Sequence, residues 1–411
     1  MNQKVYFRRN TVAAFVSLNY IFNEINHMPS QTTPSALIPE PAKKINYIDH
    51  LKVVLTILVV LHHSFITYGA PGGWYYSQKT THIGALIPMT MFVAINQAFF
   101  MGFFFFLSAY FIKSSYQKKG AKQFVFDRLK RLGIPLVFYS FILSPILIYL
   151  VYYFGKGHHI SFLQFLSGFD DWIDFGVLWF VAALLLFTLV YVLWRGVAKE
   201  AATKTLAVPS AGMIVLFAVI TGGISFLVRL VFPVGWVLKP VGFQLGHFTQ
   251  YVVLFVLGIS AYKNKWLDKL PYRTGKQMLI LVVLLILFFP CFYIIELKTD
   301  MPLDWFNGGF HWQSLLYAVW EQVIGFAIIT MLLTFGKQWW NNSSVLLSKL
   351  SRYTFAVYIF HPLVLISLAL YATSWAIDPS VKLLIVAPLA VIGSFLLASV
   401  IVLIPGVKKI I

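Results

Sequence analysis

The chain has 411 residues, of which 59% are apolar and only 11% carry a charge, against about 25% in an average soluble domain. This composition excludes a water-soluble globule, and long apolar runs such as 279–290 predict segments that cross a lipid bilayer. A formal net charge of +18 is typical of nucleic-acid binding or of the Lys and Arg residues that collect in cytoplasmic loops of membrane proteins. For a chain this apolar we predict that the charge comes from cytoplasmic loops of a membrane protein, with the lipid bilayer and not nucleic acid as its partner.

The N-terminal segment differs in composition from the rest of the chain. Residues 29–41 are rich in Pro, Ser and Thr, which is typical of disorder. We therefore predict a poorly ordered extension over 1–44, with Met28 as an alternative translation start. A single transmembrane domain is predicted over 45–411.

Windows of about 20 apolar residues predict an all-α polytopic membrane protein with ten helices. The predicted spans are 51–68, 83–112, 132–154, 175–194, 208–232, 248–262, 278–295, 315–335, 354–372 and 383–404. With a cytoplasmic N-terminus, 25 of the 32 Lys and Arg residues fall in inside segments and five in outside loops. Cytoplasmic loops carry such an excess, so we predict that both termini are cytoplasmic and that the protein lies in the cytoplasmic (inner) membrane.

The predicted outer loops combine carboxylates with tryptophans, for example Asp170, Asp171 and Trp172. Carboxylates accept hydrogen bonds from hydroxyls and aromatic faces stack on sugar rings, so these loops would suit a carbohydrate. The alternative, which we favour, is the aromatic belt found at membrane interfaces.

Ionisable residues inside predicted spans are the first candidates for chemistry, because burying them in lipid is costly. Lys52 and His63 are eleven positions apart, which at ~100° per residue brings them within ~20° on one helix face, about 16 Å apart along the axis. His62 points ~80° away from Lys52 and is the weaker candidate. The sequence therefore predicts a cation near the cytoplasmic surface and, deeper in the membrane, an imidazole that could act as a base.

Three further polar residues are candidates for acceptor binding or for orienting the base: Asp49, Glu321 and His361. Glu321 could instead pair with Arg229, the other deep charge. His361 precedes Pro362, which frees a backbone carbonyl and could kink the helix, so structural and functional roles both remain open for it. The single cysteine, Cys291, excludes a thiolate zinc site, and we expect no metal.

Several motifs, taken in order, resemble the membrane-bound acyltransferase 3 family. Residues 47–64 are similar to its first helix, in which Arg or Lys is followed by ten residues and then His. The other matching segments are 103–111 (FFFFLSAYF), 124–135 (FVFDRLKRLGIP), 178–180, 250–268 and 351–364. The resemblance is strongest to the branch that contains the glucan biosynthesis protein C succinyltransferases. The segment 124–135 corresponds to that family's basic loop.

The resemblance implies transfer of an acyl group from cytoplasmic acyl-CoA to a hydroxyl of an extracytoplasmic glycan or related acceptor, with no bound cofactor. In that scheme His63 is the base, and Lys52 lies where it could hold a CoA phosphate. Arg128 and Arg131 match basic residues of the family loop, and guanidinium groups bind oxyanions in a bidentate manner. Asp127 stands where the family often has the first arginine of a doublet. Positive-inside anchoring would explain the same basic residues without a ligand.

Two other functions compete with the enzyme. A transporter or flippase of a glycan or lipid intermediate would also use ten helices and polar groups at mid-membrane. Transporters are often built from two inverted repeats, but the chain shows no second copy of the helix that carries Lys52 and His63. A non-catalytic scaffold would leave the shared face of Lys52 and His63 unexplained. We therefore predict the acyltransferase.

Overall fold

The computed structural model describes residues 45–198, 205–299 and 301–410. Within these residues ten helices are long and apolar enough to cross a membrane. In chain order they are α1 (Asn46–Tyr68), α2 (Ile83–Tyr110), α3 (Ile112–Gly155), α4 (Gly176–Val197), α5 (Ala211–Arg229), α6 (Leu245–Asn264), α7 (Tyr272–Glu296), α8 (Trp312–Trp339), α9 (Thr354–Ser374) and α10 (Pro379–Ile401). The predicted extension over 1–44 lies outside the described residues.

The ten predicted spans are confirmed, and most of their ends agree with the structure to within a few residues. The clear exception is α3, because the segment 124–135, predicted as a basic loop, is helical. Lys, Gln, Arg and Leu favour helix even in a polar stretch, whereas a hydropathy window detects only the apolar part of a helix. Gly120 interrupts the first part of α3 with a φ of 73°, and Leu129–Gly133 is a π-helical turn.

The first helix is among the more buried helices of the bundle. It packs against α2, α8, α9 and α10, and its His62, Ser64 and Thr67 side chains are buried. Near its middle, α2 is interrupted at Ala98 and Phe99, and the Ala98 carbonyl accepts a hydrogen bond of 2.8 Å from the Gln250 side chain. A Cβ atom at Gly325 would collide with that same carbonyl oxygen. Glycine at this position therefore lets α8 approach the break in α2.

The loop between α1 and α2, residues 69–82, is fastened to distant helices. Hydrogen bonds from Ser380 hold the pKa of Asp378 below its ordinary value, so this carboxylate is an ionised anchor for the loop. The fastening hydrogen bonds are Tyr75 to Tyr139 (2.7 Å), Tyr76 to Thr373 (2.8 Å), Thr80 to Asp378 (2.9 Å) and Lys382 to Gln78 (3.3 Å). The loop is thus held against the end of the bundle that carries His63.

Candidate active site

His63 lies in a triangle of three nearly parallel rings. Its imidazole stacks on Trp74 of the α1–α2 loop, with ring centroids 4.0 Å apart and planes 19° apart. On α9, the ring of His361 lies 5.4 Å away at 20°. Within the described part of the chain, Nδ1 of His63 has no hydrogen-bond partner. Stacking on Trp74 therefore fixes the plane of this ring, and its Nδ1 is buried with no partner among the described residues. We call Trp74, His63 and His361 the imidazole cluster.

His361 is oriented by the proline that follows it. Pro362 has no N–H, so the carbonyl four residues earlier, that of Tyr358, loses its helical donor. The Nδ1 of His361 donates to this Tyr358 oxygen at 2.9 Å and lies 3.3 Å from that of Val357. Since both partners are acceptors, the proton is on Nδ1 and the lone pair of the neutral ring is on Nε2. The His-Pro pair thus sets the tautomer of a fully buried imidazole.

A cavity of about 600 Å³ adjoins His63. On α1 its lining begins at Val59 and includes His62, His63 and Ile66. At the loop end of the bundle it is lined by residues of the α1–α2, α5–α6 and α7–α8 loops, including Gly72, Val234 and Asn307. His62 therefore reaches the cavity although its angle from Lys52 made it the weaker candidate, because a cavity this wide extends beyond one helix face.

A second cluster of polar residues lies beside the cavity and is ionic. Arg229 and Glu321 are 0% and 1% exposed and form an ion pair through Nη2 and Oε2. The other carboxylate oxygen of Glu321 lies 3.1 Å from Nδ1 of His247. Arg229 also donates through Nε to the backbone oxygen of Gly246 at 3.1 Å. We call Arg229, His247 and Glu321 the ionic cluster; buried charges such as these are tolerated when they are paired.

The pairing of Glu321 with Arg229, given above as its alternative role, is present in the structure. His247, not Glu321, lines the cavity, so Glu321 would reach a ligand there through the imidazole. His361 contacts His63 directly and is thus placed to affect the proposed base.

The predicted donor-binding residues lie apart from the cavity. Lys52 is half-exposed and pairs with Asp49 at 3.3 Å, and neither of them lines the cavity. In α3, Arg128 lies over the ring of Phe124 at 5.1 Å, and Arg131 is exposed. The helix α1 is continuous from Asn46 to Tyr68. Lys52 and His63 therefore share one helix face, and their separation along the axis is about 16 Å.

Asp127, the departure from the family's basic motif, has its own partners. Its carboxylate accepts hydrogen bonds from Lys119 at 2.5 Å and from Gln123 at 2.6 Å. This acidic side chain therefore pairs within α3.

The structure adds two site residues that were not predicted. Trp74 lies in a predicted outer loop, and the tryptophans of those loops were assigned to the interfacial aromatic belt. Its stacking on His63 depends on a loop whose path has no sequence periodicity. His247 is in the short 3₁₀ turn Leu245–His247 at the start of α6, just before the predicted span 248–262. The sequence signal for His247 is a polar residue within one helical turn of a predicted span. The structure places this residue opposite the buried carboxylate of Glu321.

The described chain has ten helices long and apolar enough to span a membrane, and a cavity adjoins two histidines of the first helix. These features define a polytopic membrane protein with an internal polar site. The model of the Acyl_transf_3 family, described as an acyltransferase domain, matches residues 45–401, and the chain belongs to this family. Searches of curated proteins and of solved structures each returned no match. The family match supports an acyltransferase but does not extend to the glucan biosynthesis protein C branch.

Proposed function

We propose that this protein is a membrane O-acyltransferase that uses acyl-CoA from the cytoplasmic side and acylates a hydroxyl of an extracytoplasmic glycan or related acceptor. The observation that carries the proposal is the placement of His63. Its imidazole lines a cavity large enough for a small ligand, since such sites occupy about 300–1,000 Å³. The rings of Trp74 and His361 contact it, and its buried Nδ1 has no hydrogen-bond partner in the described chain.

The chemistry requires one base and no covalent enzyme intermediate. A neutral imidazole takes the proton of the acceptor hydroxyl as its oxygen bonds to the thioester carbonyl carbon. When the tetrahedral intermediate collapses, the carbon–sulfur bond breaks and the imidazolium returns the proton to the leaving sulfur. The products are an ester and CoA thiol, so atoms and protons balance with His63 as the only group that changes protonation.

The donor is expected at the opposite end of α1. Lys52 lies about 16 Å from His63 along the helix, and Arg128 and Arg131 supply further positive charge on α3 for the CoA phosphates. The cavity lining stops at Val59, so donor entry requires the helices between Val59 and Lys52 to separate. The acyl group, whether acetyl, succinyl or longer, is set by the depth of the space that opens there.

His63→Ala tests this proposal. Cells that produce the wild-type chain, His63→Ala or no copy are compared by mass spectrometry of envelope glycans and lipids. We expect an added acyl mass with the wild type and its loss with His63→Ala by about 100-fold or more, the range for removing a general base. His158→Ala is the matched control, because this exposed histidine stacks on Tyr152 in a loop away from the cavity.

Membrane abundance and the elution profile of each variant in detergent show whether it is folded. Unchanged acylation by folded His63→Ala would contradict the role of His63. A transported glycan or lipid that disappears from the outer face without any change of acyl mass would favour the transporter instead.

A further inference from the structure

Two side chains of α6 line the cavity one helical turn apart. His247 and Tyr251 are four positions apart, so they lie on the same side of the helix, and both line the cavity that His63 lines. Their ring centroids are 6.4 Å apart. They belong to the N-terminal end of α6, where the helix dipole places partial positive charge. This part of the wall therefore suits a group that becomes negatively charged.

The contact with Arg229 makes His247 a hydrogen-bond donor toward the cavity. Nη2 of Arg229 lies 3.4 Å from Nδ1 of His247, and a guanidinium only donates, so the neutral ring carries its proton on Nε2. Oε1 of Glu321 lies 3.1 Å from the same Nδ1 but has no hydrogen-bond partner among the described residues. A second proton on the ring would go to Nδ1, so Nε2 donates in both states. Neither Arg229 nor Glu321 lines the cavity, so it is the other edge of the ring, with Nε2, that faces the cavity.

Tyr251 also has a proton to donate. Its side chain is 1% exposed, and its ring stacks on those of Phe105 and Trp179 with centroids 5.1 and 5.5 Å away. Its hydroxyl oxygen accepts a hydrogen bond of 3.1 Å from Nε2 of Gln97. Since a hydroxyl has one proton as well as two lone pairs, this contact uses a lone pair and leaves the proton for a ligand. The stacked rings hold that donor in a fixed place.

We propose that Nε2 of His247 and the hydroxyl of Tyr251 form the oxyanion site of the acyl transfer. When the acceptor oxygen bonds to the thioester carbon, the π electron pair of the carbonyl moves to its oxygen, and both groups donate hydrogen bonds to that charge. They keep their protons, and the carbonyl re-forms as the carbon–sulfur bond breaks. Donors that are already oriented stabilise such a charge without reorganising, and Arg229 is the positioning residue for His247. The proposal rests on the acyltransferase function, in which His63 supplies the base.

Tyr251→Phe tests the proposal, because it removes one donor and keeps the stacked ring. Wild type and variant are reconstituted in proteoliposomes with radiolabelled acetyl-CoA and succinyl-CoA as donors and octyl glucoside as the acceptor. We expect kcat to fall by about 100-fold, the effect of removing one oxyanion donor. The KM for the acyl-CoA should stay within about twofold, because the lost interaction is made only in the transition state.

Tyr358→Phe is the matched control. Tyr358 lines the same cavity, but its hydroxyl already donates to the backbone oxygen of Val177. Its removal costs that one hydrogen bond, so we expect kcat to fall by less than about tenfold. Membrane abundance and the elution profile in detergent show whether each variant is folded.

His247 provides a second comparison. His247→Asn places an amide oxygen where Nδ1 accepts from Arg229 and has no group at the position of Nε2. The longer side chain of His247→Gln brings an amide N–H to that position. We expect His247→Asn to lower kcat by about 100-fold and His247→Gln to lower it less.

Unchanged kcat in folded Tyr251→Phe, a raised KM in place of a lowered kcat, or an equal loss in folded Tyr358→Phe would overturn the proposal and leave the role of His63 intact. If Tyr251→Phe is not folded, the order of His247→Asn and His247→Gln decides in the same way. If octyl glucoside is not acylated, the same variants are ranked by the rate at which the acyl mass appears in cells. Absence of acyl transfer by the wild type in both assays would instead overturn the proposed function, and the oxyanion site with it.

Discussion

Two clusters of buried polar residues adjoin one cavity, and they are held in opposite ways. The imidazole cluster contains no ion pair among its three members, and ring stacking and one backbone carbonyl fix it. The ionic cluster is held by charges whose burial is tolerated because each has a partner. A neutral imidazole outside any ion pair can accept and return a proton, whereas a paired charge is suited to keeping a neighbour in place.

The largest effect on stability is expected in the ionic cluster. Glu321→Ala leaves the fully buried Arg229 without its carboxylate, which costs about 3–5 kcal/mol. We expect most of the protein to be lost from the folded fraction, measured by thermal melting with fluorescence-detected gel filtration. The double variant Arg229→Met/Glu321→Met removes both charges and should recover much of the stability. A double variant as unstable as Glu321→Ala would show that the pairing is not what holds these helices together.

A smaller loss is expected for His361→Ala in the imidazole cluster. Without the imidazole, the Tyr358 carbonyl has neither a side-chain nor a helical donor, a defect worth about 1–3 kcal/mol. Adding Pro362→Ala restores a backbone N–H at position 362, so His361→Ala/Pro362→Ala should melt at a higher temperature than His361→Ala. Equal melting temperatures would mean that His361 does not compensate for the proline.

The smallest effect is expected for Trp74→Phe. Phenylalanine keeps a ring to stack on His63, and the indole Nε1 that it removes is buried with no partner among the described residues. Losing an unsatisfied donor is nearly neutral, so we expect a change in unfolding free energy within about 1 kcal/mol and acylation within a few-fold of wild type. Folded Trp74→Phe without activity would show that the indole N–H, not stacking, is what the site needs.

The sequence predicted the ten spans because apolar length is a strong signal, and it predicted the common face of Lys52 and His63 because α1 is an uninterrupted helix. It missed the helical start of α3, since helix propensity acts in polar stretches where hydropathy does not. It left Glu321 with two roles and omitted His247, because the contact between α6 and α8 is a tertiary fact. Loop-borne Trp74 could not be placed on His63, since loops carry no periodicity.

The fastening of the α1–α2 loop has a consequence for biogenesis. The loop that carries Trp74 is synthesised early, yet Thr373, Asp378 and Lys382, which fasten it, lie about three hundred residues later in the chain. Since a chain folds from its N-terminus as it is synthesised, His63 enters the membrane with the first helix long before its surroundings exist. The site is therefore completed only when the last two helices have been inserted, so a truncated product carries the imidazole but not the assembled centre.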